Sequence, residues 1–209
     1  IQFAYTGGIA QSEIIPKSQV WAWTGNTSSG KYLSRNDSGS TFSWGNSTTD
    51  SAFSGVAAVD VQTSAVGQRI LAKYEGTVFE GKREWFWIVY NDRTVAVMFT
   101  DASTGGTCGT VSTSALTAGW HVLGFSYDGT CAGGAGITLY SDGQALASTD
   151  SSSSYTAMED TAGKVTIGND GNNEFPTLND MGHAMLVSGN VTANQHLKLY
   201  NSAKMYYGL

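Results

Sequence analysis

The sequence predicts an all-β antiparallel sandwich, and three observations carry that expectation. Strand-length apolar runs recur from Phe53 to Val187. Turns rich in Gly, Asp and Ser cut them, two of which read Tyr127-Asp128-Gly129 and Tyr140-Ser141-Asp142-Gly143. Within several runs, apolar residues alternate with period two, as a sheet with one buried face requires.

The first fifty residues are the least regular. Val20-Trp21-Ala22-Trp23 and Lys31-Tyr32-Leu33 read as short strands between polar loops. Phe53, Ala57, Val59 and Val61 share one phase of the next run, and Arg69 to Tyr74 follows as a strand flanked by charges. Glu84 to Tyr90 is apolar in both phases, so it should be a central strand covered on both sides or one with an exposed aromatic face. The tight connection Asn91-Asp92-Arg93-Thr94 then returns the chain antiparallel over Val95 to Phe99.

Trp120 to Tyr127 places Leu123, Phe125 and Tyr127 on one face. Ile137 to Ser141 and Gln144 to Ser148 bracket Asp142-Gly143, a pair suited to the positive φ angles of a two-residue hairpin turn. Lys164 to Gly168 and Met181 to Val187 complete the strands. Thr192 followed three residues later by Gln195 has the capping-box pattern and predicts one or two turns of helix through Tyr200.

An all-β sandwich of 209 residues fits one unit, so a single domain over residues 1–209 is expected. Residues 1–17, with Phe3, Tyr5, Ile9, Ile14 and Ile15 but little patterning, predict either an N-terminal arm that docks on a neighbouring subunit or an edge strand with a covering loop. The chain opens on Ile1 rather than Met, as a processed chain or a piece of a longer one does.

Charged residues make up 13% of the chain, against roughly 25% in an ordinary soluble domain. Hydroxyls and amides must therefore cover the surface. The net charge of −6 repels phosphate backbones, and no basic stripe offsets it, so nucleic acid is not an expected partner. No run of 18 apolar residues is present, which argues against membrane insertion.

Cys108 and Cys131 flank the Trp120 to Tyr127 segment. Pairing them would close a loop worth about 3 kcal/mol and would imply an oxidising setting. Two unrelated small residues in turns is the other reading. His121, His183 and His196 show no metal-ligand spacing. Asn-x-Ser/Thr sequons begin at Asn26, Asn36, Asn46 and Asn190.

Four segments stand in register with a known family: Gly119-Trp120-His121 through Tyr127-Asp128-Gly129, Leu139-Tyr140-Ser141-Asp142-Gly143, Val165-Thr166-Ile167-Gly168, and Leu197-Lys198-Leu199-Tyr200. In order and spacing they resemble the laminin-G-like branch of the concanavalin A-like lectin/glucanase superfamily, from about Thr117 to Tyr200. The resemblance implies a jelly roll of two curved antiparallel sheets, about six strands each. That superfamily includes lectins, adhesion modules, glycoside hydrolases, polysaccharide lyases and structural domains of viral particles, so the resemblance sets no activity.

Catalysis is disfavoured by the residues themselves. Sandwich glycoside hydrolases most often carry Glu-x-Asp-x-(x)-Glu on one strand, which sets two carboxyls at hydrolytic separation. That motif is absent, and the densest acidic group, Glu75, Glu80 and Glu84, reads as a solvated hairpin tip. Neither the residue clusters of lyases nor a Gly-x-Ser-x-Gly nucleophile is found. No catalytic residue is expected.

Ligand binding has better candidates. Asn169, Asp170, Asn172 and Asn173 supply hard oxygens in a short turn, with Asp180 near in sequence. Asp170, Asn173 and Asp180 are the expected ligands if calcium is bound. A sugar held without metal would use an aromatic platform and a few polar partners. Trp44, between Ser43 and Gly45, is the aromatic most expected to be exposed, whereas Trp85, Trp87 and Trp120 are expected in the core.

The expected function is a non-catalytic, lectin-like attachment or decoration module on an extracellular, cell or virus-particle surface, contacting glycans through loops. A structural surface protein without a sugar ligand is the first alternative, and a polysaccharide hydrolase or lyase the second. The expected partners are a glycan or neighbouring subunits of a surface assembly, including further copies of the chain.

Overall fold

The period-two segments become strands. The computed structural model describes residues 32–37, 41–63, 66–76, 82–131, 133, 135–170 and 180–209, together with the strand pairing of 4–6, 14–17 and 20–23. The first strands are Ala4–Thr6 (β1), Ile14–Lys17 (β2), Val20–Trp23 (β3), Tyr32–Arg35 (β4) and Phe53–Val61 (β5). Gln68–Tyr74 (β6), Arg83–Val89 (β7), Val95–Asp101 (β8), Gly106–Ser112 (β9) and Gly119–Tyr127 (β10) follow. Ile137–Ser141 (β11), Gln144–Ala145 (β12), Ser148–Ser153 (β13), Val165–Ile167 (β14) and Met181–Ser188 (β15) complete them, before helix Ala193–Tyr207 (α1).

These strands form two antiparallel sheets. Sheet A has eight strands in the order β1-β4-β14-β6-β7-β8-β9-β13, and sheet B has seven in the order β12-β11-β10-β5-β15-β3-β2. This is the predicted antiparallel jelly-roll sandwich. The described strands exceed the expected six per sheet because short edge pieces such as β1 and β2 lengthen each sheet. β1 pairs with β4, and β2 pairs with β3. Within residues 1–17, those two segments stand at the ends of the two sheets.

The predicted inward residues meet between the sheets. Phe53 is the hub: Trp44 stacks on it at 4.0 Å, and Phe125 and Tyr127 meet it edge-on. Burying such a ring stabilises the fold by about 1.5 to 3 kcal/mol relative to leaving it in water. Trp85 and Trp87 join the same core, as expected. β7 is covered on both faces, because Phe86 and Ile88 bury on the other side with Ala72 and Ala96. There the Arg69 guanidinium lies 3.5 Å from the centre of the Phe86 ring.

Cys108 and Cys131 are joined by a disulfide with Cα atoms 6.2 Å apart, tying β9 of sheet A to the turn that follows β10 of sheet B. The Asp142-Gly143 turn has the positive φ angles its sequence predicts, 53° and 77°. Thr192 caps α1, its backbone N–H donating to Gln195 Oε1 at 2.8 Å. The helix runs 15 residues and not one or two turns, because it finds an apolar bed: Ala203 and Tyr207 pack on Val56, Ala58 and Val122 of sheet B. Trp120 stacks on Tyr207 at 4.7 Å. No helix among the described residues is long and apolar enough to cross a membrane.

Candidate ligand-binding site

The segment between β4 and β5 crosses from sheet A to sheet B, and its conformation is held by its own side chains and by others distant in sequence. Asp37 accepts the Thr41 and Phe42 backbone N–H groups at 3.1 and 3.2 Å. Trp85 Nε1 donates to the Phe42 carbonyl at 3.1 Å. Asn46 Oδ1 accepts the Thr48 and Thr49 N–H groups, which closes a tight turn with Ser47 at φ 72°.

The far end of the loop is fixed by Asp50. Its carboxylate accepts the Tyr127 hydroxyl at 2.6 Å, the Met158 N–H at 2.8 Å and the Tyr155 hydroxyl. Burial pushes the Asp50 carboxyl above the usual range, against those three donors. Burial and the neighbouring Asp50 raise both tyrosines, so they remain donors at any ordinary pH.

Between this loop and the end of β15 lies a pocket of about 360 Å³. Thr41, Ser43, Ser51 and Ser188 line it beside the apolar surfaces of Phe42, Trp44 and Leu186, with the Ser43 hydroxyl itself engaged by Lys73 and Glu84. A pocket that mixes aromatic surface with a few fixed hydroxyls suits a ligand with both a C–H face and O–H groups. Among the described residues that line it, none has an ionisable side chain.

Trp44 is therefore at the pocket, but not as the exposed platform its polar neighbours suggested. Only 9% of it is accessible, because one face stacks on Phe53 in the core. Ser51 N–H donates to the Trp44 carbonyl at 2.5 Å, which holds the indole beneath the loop.

Asn169 and Asp170 are both fully buried. The Thr166 hydroxyl donates to the Asn169 carbonyl at 2.6 Å, and Asn169 Oδ1 accepts the Asp170 N–H at 2.8 Å. Asp170 Oδ2 stands 3.9 Å from Arg69 Nε, so a guanidinium already faces this carboxylate. Burial draws the Arg69 pKa down to about 10, which leaves it charged at neutral pH. Asn172 and Asn173 lie outside the described residues. Asp180 stands at the start of β15, where its carbonyl accepts the Asp60 N–H at 2.8 Å. Among the described residues, no three His, Cys, Asp or Glu side chains gather where they could hold a metal.

Of the acidic group, Glu80 lies outside the described residues and Glu84 sits differently from its expected place. Glu84 is completely buried, not part of a solvated tip, and accepts from Ser43 Oγ at 3.1 Å and from Thr161 N and Oγ1 at 2.8 and 2.7 Å. Asp128 is the turn carboxylate expected of it, accepting Thr130 N–H at 2.7 Å. Asp142 does more: besides its turn it binds His121 Nδ1 at 2.7 Å and accepts Val122 N–H at 2.9 Å. Neither the Asp142–His121 pair nor Glu84's partners could be found from spacing, since each joins different strands.

No family model and no curated protein matches the sequence. Solved structures do share its fold. The botulinum neurotoxin serotype D binding domain superposes with a TM-score of 0.63 at 13% identity, over 96% of this chain and 46% of that one. The receptor binding domain of the botulinum neurotoxin C/D mosaic serotype gives 0.62 at 11% identity, over 99% and 49%. The Ruminococcus gnavus IT-sialidase CBM40 bound to α2,3 sialyllactose gives 0.54 at 11% identity, over 74% and 84%. At such identities the likeness is one of fold, and this chain spans about half the length of the neurotoxin domains.

Proposed function

We propose that this chain is a non-catalytic carbohydrate-binding module, taking a neutral sugar in the pocket beside Trp44. The observation that carries this reading is the pocket's described lining, in which the hydroxyl residues Thr41, Ser51 and Ser188 stand against aromatic and aliphatic surface with no ionisable side chain among them. Hydroxyls exchange hydrogen bonds with sugar hydroxyls, while Phe42, Trp44 and Leu186 cover the sugar's C–H face. The described lining residues include no carboxylate to act as acid or base in glycoside hydrolysis.

Two further observations support the reading. The fold is shared with a neurotoxin domain described as a binding domain and with a sialidase CBM40 solved with α2,3 sialyllactose. The Cys108–Cys131 disulfide suits an oxidising compartment, and with the low charge it favours a place outside the cell or on a cell or virus surface. On this reading the whole of residues 1–209 acts as one unit, and its partners are a glycan and neighbouring subunits of a surface assembly, further copies of the chain among them.

A glycan array probed with and without calcium tests the proposal. Binding of neutral glycans that survives chelation is the expected result. Binding lost on chelation would move the site to the turn of Asp170, Asn173 and Asp180. Release of reducing ends or unsaturated products from polysaccharides would replace the module with an enzyme. No binding to any glycan would leave the structural role.

A further inference from the structure

Behind the pocket loop lies a charged cluster that sugar binding does not use. Lys73 of β6 is completely buried, with Nζ 2.8 Å from Asp37 Oδ2 and 2.7 Å from Glu84 Oε1. All three side chains are at most 1% exposed. An amine, a carboxyl and a second carboxyl, held in contact away from water, are the reactants and the proton carrier of an amide condensation.

We propose that Lys73 and Asp37 condense into an intramolecular isopeptide bond, with Glu84 moving the protons. The bond formed is Lys73 Nζ to Asp37 Cγ, and the bond broken is Asp37 Cγ to one of its oxygens. Counted from ammonium and carboxylate, the nitrogen gives up two protons, which leave with that oxygen as one water. Both charges vanish, and no oxidant or reductant is needed.

Each neighbour has a part in that step. Fixing nucleophile and electrophile in contact removes the entropic cost of bringing them together. The Thr41 and Phe42 N–H groups point at Asp37 Oδ1 and Oδ2, where they polarise the carboxyl and stabilise the oxyanion of a tetrahedral intermediate. Glu84 Oε1 is anchored by Thr161 N and Oγ1, while its buried Oε2 has no partner among the described residues. Ser43 Oγ bridges the nitrogen and Glu84, at 2.5 and 3.1 Å.

The protonation states also require a carrier. Burial pushes the Asp37 carboxyl up, but Lys73 and the two amides outweigh it, so Asp37 rests below its ordinary value. Burial raises Glu84 despite Lys73, which makes it the carboxyl better able to take up a proton. Glu84 accepts a proton from the nitrogen, frees it to attack and returns the proton to the departing oxygen. The product loses two buried charges that were costly to keep from water. It also ties the segment after β4, and with it the pocket loop, to the centre of sheet A.

Mass spectrometry of the intact protein, with the disulfide reduced, tests this directly. The expected mass is lower than that of the sequence by one water, and fragmentation should give a branched peptide joining Asp37 to Lys73. Lys73→Arg and Glu84→Gln, each checked for fold by circular dichroism, should restore the full mass. Asp37→Asn should still condense but lose ammonia in place of water, which keeps the test open if another variant fails to fold. A wild-type protein at full sequence mass overturns the proposal. So does a lost water that maps elsewhere, such as a succinimide at Asp128-Gly129 or Asp142-Gly143. Condensation that persists in a folded Glu84→Gln protein removes Glu84 from the mechanism.

Discussion

The Tyr127 hydroxyl donates to Asp50 Oδ2 at 2.6 Å, and this contact joins the end of a central strand of sheet B to the loop that builds the pocket. Tyr155 and the Met158 N–H converge on the same carboxylate. Asp50→Ala strands all three donors, so a loss of about 2 to 4 kcal/mol is expected. Asp50→Asn keeps one acceptor oxygen and should cost less. Urea unfolding of both variants measures the difference, and equal stabilities would show that the three donors find other partners.

Removing the disulfide is expected to cost about 3 kcal/mol, because it frees a long loop of the unfolded chain. Cys108→Ala with Cys131→Ala is the suitable pair of changes, since Cys108 is fully buried and a serine hydroxyl would be stranded there. Guanidinium unfolding midpoints of the wild-type and double-variant proteins measure the cost. Unfolding that reducing agent leaves unchanged would mean that the bridge contributes nothing.

Two histidines should answer pH in opposite directions. His121 Nδ1 faces Asp142, and Nε2 lies 3.1 Å from the Thr117 carbonyl, so both ring nitrogens have an acceptor to donate to. Burial works against its charge, but Asp142 and the Thr117 backbone together raise its pKa above the ordinary 6.5. A raised folded value means stabilisation complete below 6.5 and lost as pH climbs through that value. Asp142→Asn should bring the His121 midpoint down.

His196 behaves as the converse. Burial lowers it to about 4, so its contribution is complete above 6.5 and lost as pH falls towards 4. Its ring stacks on Tyr140 at 3.9 Å, and Nε2 lies 2.9 Å from Ser126 Oγ. NMR titration of the ring protons separates the two. A His121 midpoint below that of His196 would reverse the assignment.

Ser188 is exposed at the mouth of the pocket, so a large side chain there should fill it without disturbing the core. Ser188→Trp is expected to lower glycan affinity at least tenfold, about 1.4 kcal/mol, with an unchanged unfolding midpoint. Calorimetric titration with any glycan found on the array reads the loss. Undiminished affinity would place the sugar elsewhere.

What was legible in the sequence was local. The alternation of Phe53, Ala57, Val59 and Val61 fixes which side of β5 faces the core, and Asp142-Gly143 can make its turn without help from the rest of the chain. The site residues were legible only as residue types. Trp44 stands among small polar neighbours, which suggests exposure, yet a ring nine positions along the chain stacks on it and decides otherwise. Asp170 looks like a turn carboxylate until β6 brings Arg69 to it. Lys73 and Glu84 each adjoin a polar turn in sequence, where solvent is the natural partner, and only the pairing of β6 with β7 under two folded loops closes them off. Contacts between distant segments decide burial, and one sequence does not show them.

Carbohydrate binding by this chain requires a neutral sugar to lie beside Trp44. Titrating the isotope-labelled protein with a glycan selected on the array, and following backbone amide shifts, tests it most directly. The largest saturable shifts are expected on Thr41, Ser43, Ser51 and Ser188. Saturable shifts confined to the sheet face around Arg69 and Phe86, with those four unmoved, would contradict it.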